Sequence, residues 1–245
     1  MVQNETVVCM FRRSRAEEIA EFFALPLGKN EVAVFYLGVS GIIARTASLA
    51  VLFDPAGFLK HDEVTALKGV NLLLFTHSHL DHFNAGKTKA LYNATGAPVL
   101  AEAKVAAKLK GKIPADKLVS AESGKTYTFG DVTASAVVGV HRGPIMLYQV
   151  KLGGVALFHA GDSGYVSLKG YPSDVAFLPT GRMSPTASPE NAYKMAVDLK
   201  PDVAVAVHGS GGQKREFEAK AKEGLPQTSV LILEPFTSKT IVLLN

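Results

Sequence analysis

Tryptophan is absent from this 245-residue chain, and cysteine occurs once, at Cys9. One cysteine closes no disulfide within the chain and supplies no multi-cysteine metal site. This excludes the stapled secreted scaffolds and points to a reducing compartment, with the cytoplasm expected. Long apolar runs are lacking too. Asn4, Glu5, Arg12, Arg13 and Arg15 break up the first residues, which do not read as a signal peptide. No later stretch approaches the ~20 apolar residues of a membrane-spanning helix, so no membrane partner is expected. Nor does one sign of charge prevail: 26 basic and 22 acidic residues leave +4, and the lysines are scattered. A nucleic-acid channel wants a basic stripe with interleaved aromatics, and none is evident. What the chain does have is apolar content of 47%, enough for a sizeable core.

Along the chain, Ile19, Phe22 and Phe23 recur at helical spacing among Glu17, Glu18 and Glu21, predicting an amphipathic helix from Arg15 to Ala24. Phe22 and Phe23 read as core or as a contact in a homo-oligomer. Residues 1–30 are thus expected to form an N-terminal helical extension, and 31–245 the main domain. Strands are predicted at Val32–Leu37, Gly41–Thr46 and Leu49–Phe53, an antiparallel meander. Val70–Phe75 is continuously apolar, as a strand covered on both faces would be. Helices near Phe83–Tyr92 and Lys104–Lys110 follow. A second series then runs through strands at Thr126–Phe129, Val132–Val140, Met146–Leu152 and Val155–Phe158. It continues with Val175–Leu178, a helix at Pro189–Leu199, Val203–Val207, a helix at Gln213–Lys222, and closing strands near Val230–Leu233 and Thr240–Leu243. Strands then helices, twice over, predict an α/β fold of two sheets packed face to face with helices outside.

The sharpest chemical signal is His77-Ser78-His79-Leu80-Asp81-His82, directly after the buried strand. On an extended exit, residues two apart point the same way, so His77 and His79 can reach one ion. As the chain turns, Asp81 and His82 can reach a second. Zinc takes three or more protein groups plus a water, with nitrogen ligands at about 2.0–2.1 Å. His141, Asp162 and His208 each stand just beyond a predicted strand and can complete such sites. Asp162, with two oxygens, is the choice to bridge ions about 3.5–4 Å apart. The expected cofactor is two divalent ions, zinc first, with manganese or iron as alternatives.

His77-x-His79-x-Asp81-His82, then His141, Gly161-Asp162 and His208, resemble in this order the ligand set of the metallo-β-lactamase superfamily. Leu37-Gly38-Val39-Ser40-Gly41, Phe53-Asp54-Pro55, His159-Ala160-Gly161-Asp162, Leu178-Pro179-Thr180-Gly181 and Ser188-Pro189-Glu190 resemble its branch of small hydrolases that includes ascorbate-6-phosphate lactonase-like proteins. Val39 stands where that branch commonly has a histidine, and the segment before Glu31 has no counterpart. The resemblance implies a four-layer αβ/βα sandwich. It also implies one metal on His77, His79 and His141, another on Asp81, His82 and His208, and Asp162 between them. The expected activity is hydrolysis of a small ester, lactone or phosphoester by metal-activated hydroxide, with Asp81 positioning the water or passing a proton. Nucleic-acid phosphodiesterase, an iron-based oxidative role and a non-catalytic metal-binding protein are the alternatives.

Other polar residues read more plainly. Arg142 could pair with an anionic substrate group. His61 reads as surface, and His159 as a residue packed behind Asp162. Gly209-Ser210-Gly211-Gly212 reads as a turn, and Cys9 as a small buried side chain.

Overall fold

The computed structural model describes residues 13–55 and 58–243, so Cys9 lies outside the described residues. Among the described residues the first element is helix α1 (Arg15–Ala24), behind a capping box in which the Ser14 and Glu17 side chains each bond the other's backbone amide. Strands β1 (Glu31–Gly38), β2 (Gly41–Arg45) and β3 (Ala50–Phe53) form the expected antiparallel meander. A short helix α2 (His61–Thr65) precedes β4 (Val70–Phe75), which pairs parallel to β3. Helix α3 (Ala85–Thr95) leads to β5 (Val99–Ala101), and α4 (Ala103–Leu109) to β6 (Leu118–Ser120), both added in parallel.

The second series contains β7 (Thr126–Phe129), β8 (Val132–Val138), β9 (Met146–Leu152) and β10 (Val155–His159), each antiparallel to the one before it. Parallel strands β11 (Val175–Pro179), β12 (Val203–Val207) and β13 (Ser229–Leu231) follow, with α5 (Pro189–Leu199) and α6 (Gly211–Gly224) between them. The last strand, β14 (Thr237–Val242), leaves this sheet and pairs antiparallel to β1. The result is two seven-stranded sheets, ordered β14-β1-β2-β3-β4-β5-β6 and β13-β12-β11-β10-β9-β8-β7.

Alternation along the strands assigns each face a partner. Val32, Val34 and Tyr36 of β1 meet Tyr148, Val150, Phe177 and Val205 of the other sheet in the central core. Ala33, Phe35 and Leu37 point the opposite way, into a layer shared with helices α1–α4. The outer face of the second sheet packs on α5 and α6 through Phe158, Ala176, Met195 and Phe217. This is the four-layer αβ/βα sandwich. Helix α1 belongs to the first outer layer: Ile19 and Phe22 are buried beside Phe35, and Phe23 packs at their edge. The buried Arg45 ties down its end, donating from Nε to Phe22 O at 2.9 Å and from the same guanidinium to Leu25 O.

Two expectations needed adjustment. Strand β8 stops at Val138, and Val140 forms an isolated bridge to Gly164, its amide also donating to Ser163 Oγ at 2.9 Å. Strands β5 and β6, of three residues each, were not anticipated. Among the described residues, no helix is long and apolar enough to cross a membrane.

Candidate metal centre

The chemistry-bearing residues gather where the carboxyl ends of β3, β4, β10, β11 and β12 meet, a place where loops are free to carry function on a rigid base. After β4 the chain runs through Thr76 and His77, then folds back as His82 N and Phe83 N both donate to His79 O. That turn aims several side chains inward before Asn84 caps α3. From the other sheet, the Val140–Gly164 bridge presents His141, β10 leads to Asp162, and β12 ends at His208. Gly161 lets Asp162 approach: its φ is +53°, and a Cβ there would lie 2.9 Å from Thr76 Oγ1.

All seven residues expected to bind metal come together, in two groups. In the first, His79 Nδ1 lies 3.1 Å from His77 Nε2 and 3.2 Å from His141 Nε2. In the second, Asp162 Oδ1 lies 3.0 Å from His82 Nε2, and Asp162 Oδ2 3.0 Å from His208 Nε2. Asp81 Oδ2 stands 3.6 Å from His208 Nε2 and 3.8 Å from His82 Nε2. The His77 and His82 rings, 4.1 Å apart, join the groups.

The surrounding acceptors fix the histidine tautomers. Asp54 is buried and, as a carboxylate, only accepts: from Thr76 N, from Thr76 Oγ1 at 2.6 Å and from His82 Nδ1 at 2.7 Å. The Thr76 hydroxyl proton being spent on Asp54, Thr76 Oγ1 accepts from His77 Nδ1 at 3.0 Å. His208 Nδ1 donates to the carbonyl of Arg182 at 2.8 Å. Thr186 Oγ1 donates to Asp162 O and accepts from His141 Nδ1 at 3.1 Å. In all four rings, Nδ1 carries the proton outward and Nε2 turns inward, the arrangement in which an outer acceptor orients a metal-binding imidazole.

Inside, His82 Nε2 and His208 Nε2 are buried and make no hydrogen bond, though Asp162 oxygens lie 3.0 Å from each. Buried nitrogens without partners are costly, and a divalent cation would satisfy both. The field asks for positive charge at the same place. Burial opposes a charge on His82, yet Asp54 and Asp162 prevail and raise its pKa to about 10. Burial is likewise outweighed at His208, where Asp162 and Asp81 raise the value to about 9. The converse holds for Asp162: its burial is overcome by the adjacent His208 and His82 imidazoles, which hold its pKa well below the usual carboxylate range. His77 is pushed down to about 3, by burial first and then by His82.

Backbone strain concentrates here. Val39, Asp54 and His208 adopt φ of +52°, +43° and +42°, a region that non-glycine residues rarely enter except where surrounding structure enforces it. Val39 O takes the His208 backbone amide at 2.9 Å and so anchors that turn. His159 sits behind the centre, as expected. Gly161 N donates to its Nδ1, its Nε2 donates to Ser40 O at 2.8 Å, and its ring stacks on Phe53. Ser40 Oγ in turn donates to Asp162 Oδ1 at 3.3 Å. His61 is exposed and distant from either group. Arg142 is exposed and lines the mouth of the centre with Asp81, His141 and Met183.

Sequence reasoning assigned no role to Asp54, Thr76, Ser40 or Thr186. The available signal for Asp54 was an acidic residue ending a fully buried strand before a proline; the others left none.

A family model described as a beta-lactamase superfamily domain matches residues 23–209, well over half of the chain. The chain belongs to the beta-lactamase superfamily. Among relatives of this superfamily member, a UPF0173 metal-dependent hydrolase of Thermus thermophilus is 32% identical over 196 residues, covering 72% of this chain and 83% of the relative. A UPF0173 metal-dependent hydrolase of Aeropyrum pernix is 30% identical over 236 residues, covering 82% and 93%. Among solved structures, Igni18, a metallo hydrolase from Ignicoccus hospitalis, superposes with a TM-score of 0.71 at 20% identity, covering 86% of this chain and 98% of its own. That likeness shows the shared fold. Membership places the chain among metal-dependent hydrolases of the metallo-β-lactamase fold, and its His/Asp groups supply a donor set able to bind metal.

Proposed function

We propose that this hydrolase holds two divalent metal ions, one on His77, His79 and His141 and the other on Asp81, His82 and His208, with Asp162 between them. Its substrate in this reading is a small ester, lactone or phosphoester. The observation that carries it is the inward commitment of Nε2 on four rings around one buried carboxylate, two of those nitrogens having no other partner. Zinc suits these nitrogen and oxygen donors, and manganese or iron would also be accepted. Bound there, divalent ions bring the pKa of a water toward about 7 and polarise the bond to be cleaved.

The protein's own residues do the rest. Asp54 and Thr76 fix the rings of His77 and His82, and Asp162 faces His82 with one oxygen and His208 with the other. Asp81 is half-buried at the mouth, and the neighbouring His208 first, with His82 adding, keeps its carboxyl below the ordinary range. It therefore stays ionised near neutral pH, able to accept a hydrogen bond from the attacking water and pass the proton on toward the leaving group. The mouth is a cavity of about 610 Å³, within the usual size for small-molecule sites. Arg142 on its wall offers a guanidinium to an anionic oxygen, and the exposed Leu80 and Met183 offer apolar cover.

The test joins metal analysis of the purified protein to a screen over lactones, esters and phosphoesters. Two equivalents of divalent metal and metal-dependent turnover of one class are expected. At most one equivalent, with no turnover in any class, overturns the reading.

A further inference from the structure

A second cavity, of about 390 Å³, adjoins the centre through His208 and shares Met183 with the mouth. Its wall carries three cationic side chains, Arg182, Lys214 and Arg215, against one carboxylate, Glu234. Lys214 is the informative residue. Helix α6 turns Lys214, Phe217 and Ala221 inward, the i, i+3, i+7 stripe of a packed face, so a lysine stands where an apolar side chain would serve packing. Only 8% of it is exposed, yet its ammonium makes no hydrogen bond or ion pair among the described residues. Its ammonium has for company the Tyr36 ring, 4.9 Å away. Burial lowers its pKa, with Glu234 opposing from beyond ion-pair distance.

Its place in the helix makes this costlier still. With Ser210 as N-cap, Lys214 sits at the start of α6, where the helix dipole disfavours a cation. The capping box engages the amides of Ser210 and Gln213. The amides of Gly211 and Gly212 take no acceptor among the described residues, and Gly211 lines the cavity. An unpaired ammonium at the end of a largely buried side chain, beside free first-turn amides, is unfavourable in isolation, and one anion bound in the cavity relieves both.

We propose that this cavity seats an anionic group of the substrate, a carboxylate or a phosphate, held by Lys214 with the Gly211 and Gly212 amides and the guanidiniums of Arg182 and Arg215. The hydrolysable bond then lies toward His208 and Asp81. Assigning the anion to the substrate rests on the hydrolase reading above; the anion seat itself does not.

The experiment uses the metal-loaded protein, its Lys214→Met variant, which keeps the length of the side chain, and Lys222→Met on the exposed side of α6 as a control. Matched lactones and esters with and without a carboxylate or phosphate tail are assayed. Inorganic phosphate and acetate are titrated by calorimetry in parallel. A charged hydrogen bond of this kind corresponds to a loss of about 10- to 100-fold. Lys214→Met should therefore lose that much kcat/KM on tailed substrates, mainly through KM. On tailless partners it should stay within about twofold, and it should bind one of the two anions more weakly by a similar factor. Preference for phosphate or for acetate in wild type identifies the tail. Turnover of tailless substrates alone leaves the hydrolase and overturns the anion seat. No turnover at all, with Lys214-dependent anion binding, removes the hydrolase reading and supports the seat. Equal behaviour of Lys214→Met and wild type in both readouts overturns it, as does a loss shared by tailed and tailless substrates with anion binding unchanged.

Discussion

The two groups of the metal centre start from the same six-residue run but differ in what the rest of the fold adds to them. The His77, His79 and His141 group holds no carboxylate, includes an exposed ring and a half-buried one, and borders the substrate-sized mouth. The group of Asp81, His82, Asp162 and His208 has two carboxylates, and all its members except Asp81 are buried. In the first, His77 is driven to the neutral form; in the second, two histidines are drawn toward the charged form. Neutral imidazoles beside water favour exchange of a cation, whereas paired carboxylates in a buried setting favour its retention, because charge attraction grows as solvent is excluded. Burial and charge, more than the identity of the histidines, set the two groups apart.

The largest expected effect comes from removing the residue between them. Asp162→Ala should abolish the distinction, with metal content collapsing in both groups and turnover falling on the order of a thousand-fold. That factor corresponds to losing several kcal/mol of metal-based transition-state stabilisation. Metal analysis beside rate measurement on a folded variant checks it, and near-wild-type turnover would break the two-group picture. Next comes Asp54→Asn, which replaces an acceptor of the His82 proton by an amide that can oppose it. Outer partners of metal-binding histidines are typically worth about 10- to 100-fold in affinity or activity, and this loss should fall mainly on the ion of the carboxylate group. Equal loss from both ions would contradict the separation.

A smaller contrast is expected on chelation. Graded chelator should strip one ion before the other, the His79 group first, with apparent affinities at least about tenfold apart, a difference of roughly 1.4 kcal/mol. Release in one step falsifies the division. The smallest effect belongs to Ser40→Ala. Its 3.3 Å bond to Asp162 is long, so a loss of about 1 kcal/mol, roughly fivefold in turnover, is expected without change in metal content.

Much of the scaffold was legible before the coordinates. Helix Arg15–Ala24, strands Val70–Phe75, Thr126–Phe129 and Met146–Leu152, and helix Pro189–Leu199 coincide with their sequence-based bounds. Each is long enough, or apolar enough, for its periodicity to stand above noise. Strands β5 and β6 escaped because three residues carry no measurable period. The return of Thr237–Val242 to the first sheet escaped because alternation predicts a strand, never its neighbour. Within the centre, the histidines declared themselves by clustering. Asp54 and Thr76 did not, since an isolated acid and an isolated threonine are common at strand ends, and only the fold brings them to His82 and His77. Lys214 stands in a predicted helix among other lysines, and only the placed helix shows that it faces inward.

By itself, then, the sequence determined which residue types are available and at which strand ends they stand, because side-chain alternation and turn chemistry are local. Tertiary structure decided which nitrogen of each histidine faces inward, which group is buried with the carboxylates, and that one lysine of α6 faces a cavity beside the centre without an acidic partner. Those outcomes depend on contacts between residues far apart in the chain. Ser40 meets Asp162 and His79 meets His141 only once two sheets have closed on each other.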